Sequence, residues 1–301
     1  LSAPASYRSW GIAFGLLGVL AFSLRPILIK LSYAAYPVSP TTLLFLRMTL
    51  SLPFFAAVAF FLRGKGPRLT LRDWMAIVGL GLVGYYAASF LDFLGLQYIG
   101  AGVGRLILFL YPTLVLLLSF LFLHKRPGGR ELAALVLSYA GIALVVSNQV
   151  GAGREGKLFL LGVLLVFASA LCYAVYLVAG SQMVKRVGSM RFTAYTMVVA
   201  TMPAVLQFFL FEPVSALRLP AAVWGYAIVL ATFSTVLPVF LQSEALKRIG
   251  ATHFALIGAA GPVSVAATSA LGLDEPFTWL QAAGGALVIF GVLLVSLKPK
   301  S

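Results

Sequence analysis

Four ionisable side chains, Arg25, Arg47, Asp92 and Arg105, fall inside long apolar stretches of this 301-residue chain. Charges there are costly unless they face a wet cavity or a partner. Three cations against one acid (three minus one) leave a local formal excess of +2. Arginine keeps its charge, and its planar fork takes a carboxylate or phosphate through paired hydrogen bonds. The group could therefore hold the anionic end of a small molecule. A structural role is the alternative. Asp92 and Arg105 flank one short turn at matching depth and can pair with each other. Arg25 and Arg47 then have no evident acidic partner, and could snorkel outward or bind helix-end carbonyls.

Hydroxyl and aromatic groups form stripes at similar depth. Tyr85, Ser89 and Asp92 share a helical face at i, i+4 and i+7, with Tyr86 beside them. Thr235 and Gln242 lie on the matching face 150 residues later. Ser169, Tyr173 and Tyr176 share another face, and Tyr111 precedes a proline. The expected cavity is lined by the third, fourth, sixth and eighth apolar stretches, with the first and ninth adjacent. Interhelical hydrogen bonding is the alternative for these stripes.

The elements that must position these groups are membrane spans. The chain is 61% hydrophobic and 10% charged, with mean hydropathy +1.02. Soluble chains carry about a quarter charged residues. Ten stretches have the roughly 20 residues a span needs: near 10–33, 39–62, 74–97, 101–123, 131–149, 158–181, 190–211, 220–243, 250–272 and 277–297. Ser39-Pro40 and Thr70 to Asp73 read as helix starts, and Gly100 and Gly250 as turns before the fourth and ninth spans. The first stretch reads as a retained helix rather than a cleaved leader.

The sequence also repeats. Phe90 to Ala101 lines up with Phe240 to Ala251, and the same offset maps Pro53 onto Pro203, Pro112 onto Pro262 and Gly141 onto Gly291. The expected organisation is a first five-helix repeat at 1–149, a linker at 150–156 and a second repeat at 157–301. Five crossings per copy invert the second copy relative to the first. Arg47, Asp92 and Arg105 map onto Met197, Gln242 and Ala255, so the charged cluster does not recur. Pro53, Pro112, Pro203 and Pro262 are expected to kink their helices and to serve as hinges.

The net charge of +14 is unevenly placed. Arg63, Lys65, Arg68, Arg72, Lys125, Arg126, Lys185, Arg186, Arg191, Lys247 and Arg248 fall on one side of a ten-span layout. That pattern is the positive-inside rule, with both termini expected in the cytoplasm, and not a nucleic-acid face. One cysteine, Cys172, gives no disulfide within the chain. No phosphate-binding Gly-x4-Gly-Lys-Ser/Thr motif, metal-ligand spacing or serine–histidine–acid set occurs, so no cofactor or metal is expected.

Several stretches resemble the EamA-type transporters of the drug/metabolite transporter superfamily. They are Leu46-Arg47-Met48, Leu91 to Leu96, Arg105 to Pro112, Phe233 to Phe240, Ile249-Gly250-Ala251, Gly261-Pro262-Val263 and Gln281 to Gly284. The resemblance implies an all-α integral membrane protein of ten helices, two inverted five-helix repeats around a central cavity. It also implies an exporter or exchanger in a bacterial inner membrane. The resemblance implies that relatives of this branch often have an acidic residue before the arginine of the fourth span, where this chain has Gly104. The expected function is secondary transport by alternating access, of small anionic or zwitterionic metabolites such as amino acids. The expected partners are that substrate, the lipid bilayer and a coupled proton or counter-substrate, in a monomer or homodimer. Efflux of hydrophobic or cationic drugs is the alternative within transport. A membrane enzyme or scaffold is the alternative outside it.

Overall fold

The computed structural model describes residues 5–123, 128–147, 153–258, 261, 265 and 278–296. Among these residues the secondary structure is helical, with no strand. Helix α1 (Ala5–Ala35) leads through a short turn to α2 (Pro40–Leu62). The third span is α3 (Leu71–Gly81), a π turn (Leu82–Ala87) and α4 (Ala88–Gly95). The fourth is α5 (Ala101–Leu108) and α6 (Tyr111–Leu123), and α7 is Gly129–Ser147. In the second half come α8 (Gly153–Val187), α9 (Ser189–Phe211) and α10 (Ala221–Ala231). A second π turn (Thr232–Val236), α11 (Leu237–Gly258) and α12 (Trp279–Ser296) follow.

Local chemistry explains several boundaries. Ser39 accepts a hydrogen bond from the Thr42 backbone N–H, and Pro40 opens α2 where a missing donor costs nothing. Thr70 and Asp73 form a reciprocal capping box at the start of α3. Gly188, with φ of +89°, makes the left-handed joint between α8 and α9.

Among the described residues, eight helical segments are long and apolar enough to cross a membrane, and a shorter apolar helix covers Trp279–Leu294. The expected ninth span, 250–272, lies largely outside the described residues, as do Pro262 and the first residues of the expected linker. Gly250 is not in a turn. Helix α11 runs through it, carried by helix-forming residues and an i,i+4 bridge between Glu244 and Arg248 at 3.4 Å. Helix α8 begins at Gly153, inside the segment read as linker.

The prolines act in two ways. Pro53 and Pro203 lie inside continuous helices, as does Pro26 beside Arg25, which the sequence reading passed over. Pro112 instead follows a break: α5 ends at Leu108 and α6 restarts at Tyr111. Its missing N–H cannot bond the carbonyl four residues back, which sits at that break.

The two halves pack in matching ways. Both π turns fall at the same place in their repeats, Leu82–Ala87 and Thr232–Val236. Helices α2 and α9 run antiparallel. Ser39, at the start of α2, donates to Glu212 at the end of α9, while Arg191 near the start of α9 donates to the Pro67 carbonyl past the end of α2. Helices α7 and α12 also cross antiparallel, through glycines. A Cβ on Gly141 would meet the Gly284 carbonyl oxygen at 2.5 Å, and one on Gly291 would meet the Ala134 carbonyl oxygen at 2.8 Å. In lipid such close backbone approach is what holds helices together.

Gly141→Val should therefore lower the thermal unfolding temperature of the detergent-solubilised protein, since overpacking costs about 1–3 kcal/mol. Gly79→Ala is the control, because a Cβ there meets nothing within 4 Å. Equal shifts in both variants would refute tight packing at the α7–α12 seam.

Candidate binding cavity

A cavity of about 170 Å³ lies among α1, α2, the two π turns, α5, α8 and α11. For scale, a cavity of about 150 Å³ takes one benzene. The π turns shape its wall. Each inserts one extra residue into a helical turn, and such bulges recur at functional sites. Here they bring Tyr85 and Thr235, equivalent residues of the two halves, to the cavity. Gly84 and Ser234, Ser89 and Val239, and Arg47 and Met197 are further equivalent pairs in the wall. The wall is thus two-fold in position, with its arginines on the first half alone.

Arg47 is almost fully buried, at 3% exposure. Its Nε donates to Thr235 Oγ1 at 3.0 Å and its Nη1 to Ser89 Oγ at 2.8 Å. The Thr235 hydroxyl in turn donates to the Leu230 carbonyl at 2.8 Å, so the guanidinium is fixed across the two halves. Asp92 does not pair with Arg105, as depth alone suggested. Its carboxylate meets Arg25 at 3.0 Å. Both side chains reach the same level from different helices, α4 and α1, and counting along the chain gives depth but not direction around the helix axis. Arg25 also donates to Ser89 Oγ at 3.5 Å.

Arg105 is buried, lines the cavity, and its Nε has no hydrogen-bond partner among the described residues. A side chain at Gly104 would run into Leu96, with a Cβ at 2.8 Å from Leu96 Cδ2, so an acid there would need that leucine displaced. Two phenylalanine rings stand between the three cations. Phe93 lies 5.5 Å from Arg25 and 5.6 Å from Arg47, and Phe22 lies 4.9 Å from Arg105 and 5.9 Å from Arg25. The negative faces of the rings attract the guanidinium groups they separate. Sequence reasoning missed both rings; the signal was an aromatic three residues before Arg25 and another beside Asp92.

Among the tyrosines, Tyr85, Tyr111 and Tyr173 line the cavity. Tyr111 and Tyr173 meet edge to face at 5.3 Å. Tyr176 stacks behind Tyr173 at 6.0 Å and backs onto Phe192 at 5.5 Å, so it supports the wall without forming it. Tyr86 turns away: its hydroxyl donates to Gln207 at 3.0 Å, on α9. Ser169 lines the cavity and donates to the Ala88 carbonyl at 2.6 Å, tying α8 to α4. Chemically, the cavity offers arginine donors, phenols and hydroxyls in an aromatic enclosure.

The profile of the EamA-like transporter family matches residues 9–147 and again 160–297. The chain belongs to the EamA-like transporter family. It is a multi-pass membrane protein, as its apolar helices and this membership agree. It is 29% identical to the uncharacterized transporter YcbK of Bacillus subtilis (strain 168), over 93% of this chain and 90% of that one. It is 28% identical to the uncharacterized transporter YyaM of the same organism, over 86% and 85%. An uncharacterized transporter of Archaeoglobus fulgidus is 27% identical over 96% and 95%. One solved crystal structure, at 21% identity, covers 96% of this chain and 98% of its own with a TM-score of 0.65, a likeness of fold. A transporter, rather than an enzyme, is what membership and these relatives indicate.

Proposed function

We propose that this protein is a secondary transporter of small anionic or zwitterionic metabolites, amino acids or related organic acids among them, working by alternating access as an exporter or exchanger. The observation that carries the reading is Arg25, Arg47 and Arg105 set around one acid, Asp92, in or beside the cavity. With Arg25 engaged by Asp92, Arg47 and Arg105 remain to bind an incoming carboxylate. The cavity suits an occupant of amino-acid size. The antiparallel course of α2 and α9, equivalent helices in the two halves, supports inverted repeats that rock about a shared centre. On this reading the chain has ten crossings, sits in a bacterial inner membrane with both termini in the cytoplasm, and couples flux to a proton or counter-substrate.

The test is counterflow into proteoliposomes against a panel of radiolabelled amino acids, dicarboxylates and lipophilic cations. Signal is expected with anionic or zwitterionic compounds and not with the cations. Transport of the cations alone would replace this reading with drug efflux. No transport from a folded protein across the whole panel would refute it.

A further inference from the structure

A second concavity, of about 910 Å³, lies away from the cavity, where the α2–α3 connection meets the start of α9. Three arginines line it: Arg63, Arg68 and Arg191. Among the described residues, no acidic side chain does. The carboxylate next in sequence, Asp73, is engaged by Thr70 and by Arg186 at 3.0 Å. Arg191 is 7% exposed, and it is held rigidly. Its Nε donates to the Tyr195 hydroxyl at 3.2 Å and its Nη1 to the Pro67 carbonyl at 3.1 Å. Its Nη2 makes no hydrogen bond or ion pair with another described residue. Gly66, at φ of +120°, lets the connection fold over this guanidinium; a Cβ there would come within 3.2 Å of Arg191 Nη1.

The surround is largely apolar and exposed. Phe60 and Trp74 line the cleft and are 64% and 41% exposed. Arginines at a span end beside exposed aromatics occupy the headgroup level of a bilayer, where basic pockets between helices take anionic lipids. A soluble phosphate would use the arginines but leave the aromatic rim idle. We infer that this cleft is a binding site for an anionic glycerophospholipid, with Arg63, Arg68 and Arg191 around the phosphodiester and the acyl chains along Phe60 and Trp74. This site depends on the membrane setting alone, and not on what the central cavity carries.

Native mass spectrometry of the full chain in detergent reads it directly. Phosphatidylglycerol and phosphatidylcholine of the same acyl chains are titrated separately. Phosphatidylglycerol should bind about tenfold or more tightly, as removal of several juxtamembrane cations should show. Arg63→Gln with Arg68→Gln, both on the exposed connection, should abolish the preference; Arg191→Gln should do so as well. Arg130→Gln with Lys185→Gln removes equal charge elsewhere and should leave it intact. Equal affinity for the two lipids overturns the site, as does an equal loss in the control pair. Displacement of the lipid by inorganic phosphate or glycerol phosphate assigns the arginines to a soluble anion and overturns the lipid.

Discussion

Arg47→Ala is expected to raise the KM for the best substrate of the counterflow panel about 10- to 100-fold, with folded protein recovered at near wild-type yield. A hydrogen bond to a charged group contributes about 1.5–3 kcal/mol, and each 1.4 kcal/mol is a factor of ten. The geometry favours a large effect. Two of the donors on Arg47 are fixed by Thr235 and Ser89, from opposite halves, so the guanidinium is held in place before any ligand arrives. A preorganised fork loses little freedom on binding. Arg47→Lys keeps the charge but loses the fork, and should fall between. Thr235→Val with Ser89→Ala leaves the charge and removes its anchors; a loss of several-fold is expected, smaller than that of Arg47→Ala. An unchanged KM for an anionic substrate in Arg47→Ala would remove this residue from recognition, and with it the main support for the substrate class.

The parts of this site that could be read from the sequence are those that depend on depth. Arg25, Arg47 and Arg105 stand out because a charge in a 20-residue apolar stretch has few places to go. The tyrosines stand out by helical spacing, and Tyr85, Tyr111 and Tyr173 do meet at one cavity. Rotation about a helix axis is harder to read. Helix α2 is apolar on all sides, so no face marks where Arg47 turns. The π turns add a residue and shift the phase of everything after them, which no ordinary 3.6-residue count anticipates. Tyr85 and Tyr86 sit inside one such turn, and they part company there, one toward the cavity and one toward Gln207. The pairing of Asp92 with Arg25 instead of Arg105 has the same origin. The course of α11 was misread for a different reason. Gly250 matches Gly100 in sequence, yet Gly100 stands between two helices as the N-cap of α5 and Gly250 lies within one, because glycine permits a turn without compelling it.

Asp92→Asn should produce the largest loss of stability of any single substitution at this site. Asp92 and Arg25 are both largely buried, with side chains 6% and 11% exposed, and they meet at 3.0 Å. Removing one partner of a buried pair leaves the other charge uncompensated, at a cost of about 3–5 kcal/mol. Here the remaining charge would also stand near Arg47 and Arg105, shielded from them only by Phe22 and Phe93. Unfolding of the detergent-solubilised protein measures the effect. Arg25→Gln removes the opposite partner and should also destabilise. The double variant, Arg25→Gln with Asp92→Asn, leaves no unpaired charge between the two positions, so its cost should be well below the sum of the single costs, by the logic of a double-mutant cycle. Additive costs would mean that the two charges are solvated independently. A sub-additive result with transport lost in the double variant would make the pair part of the working cycle, since a bond that serves only the fold can be replaced by a neutral pair without loss of flux.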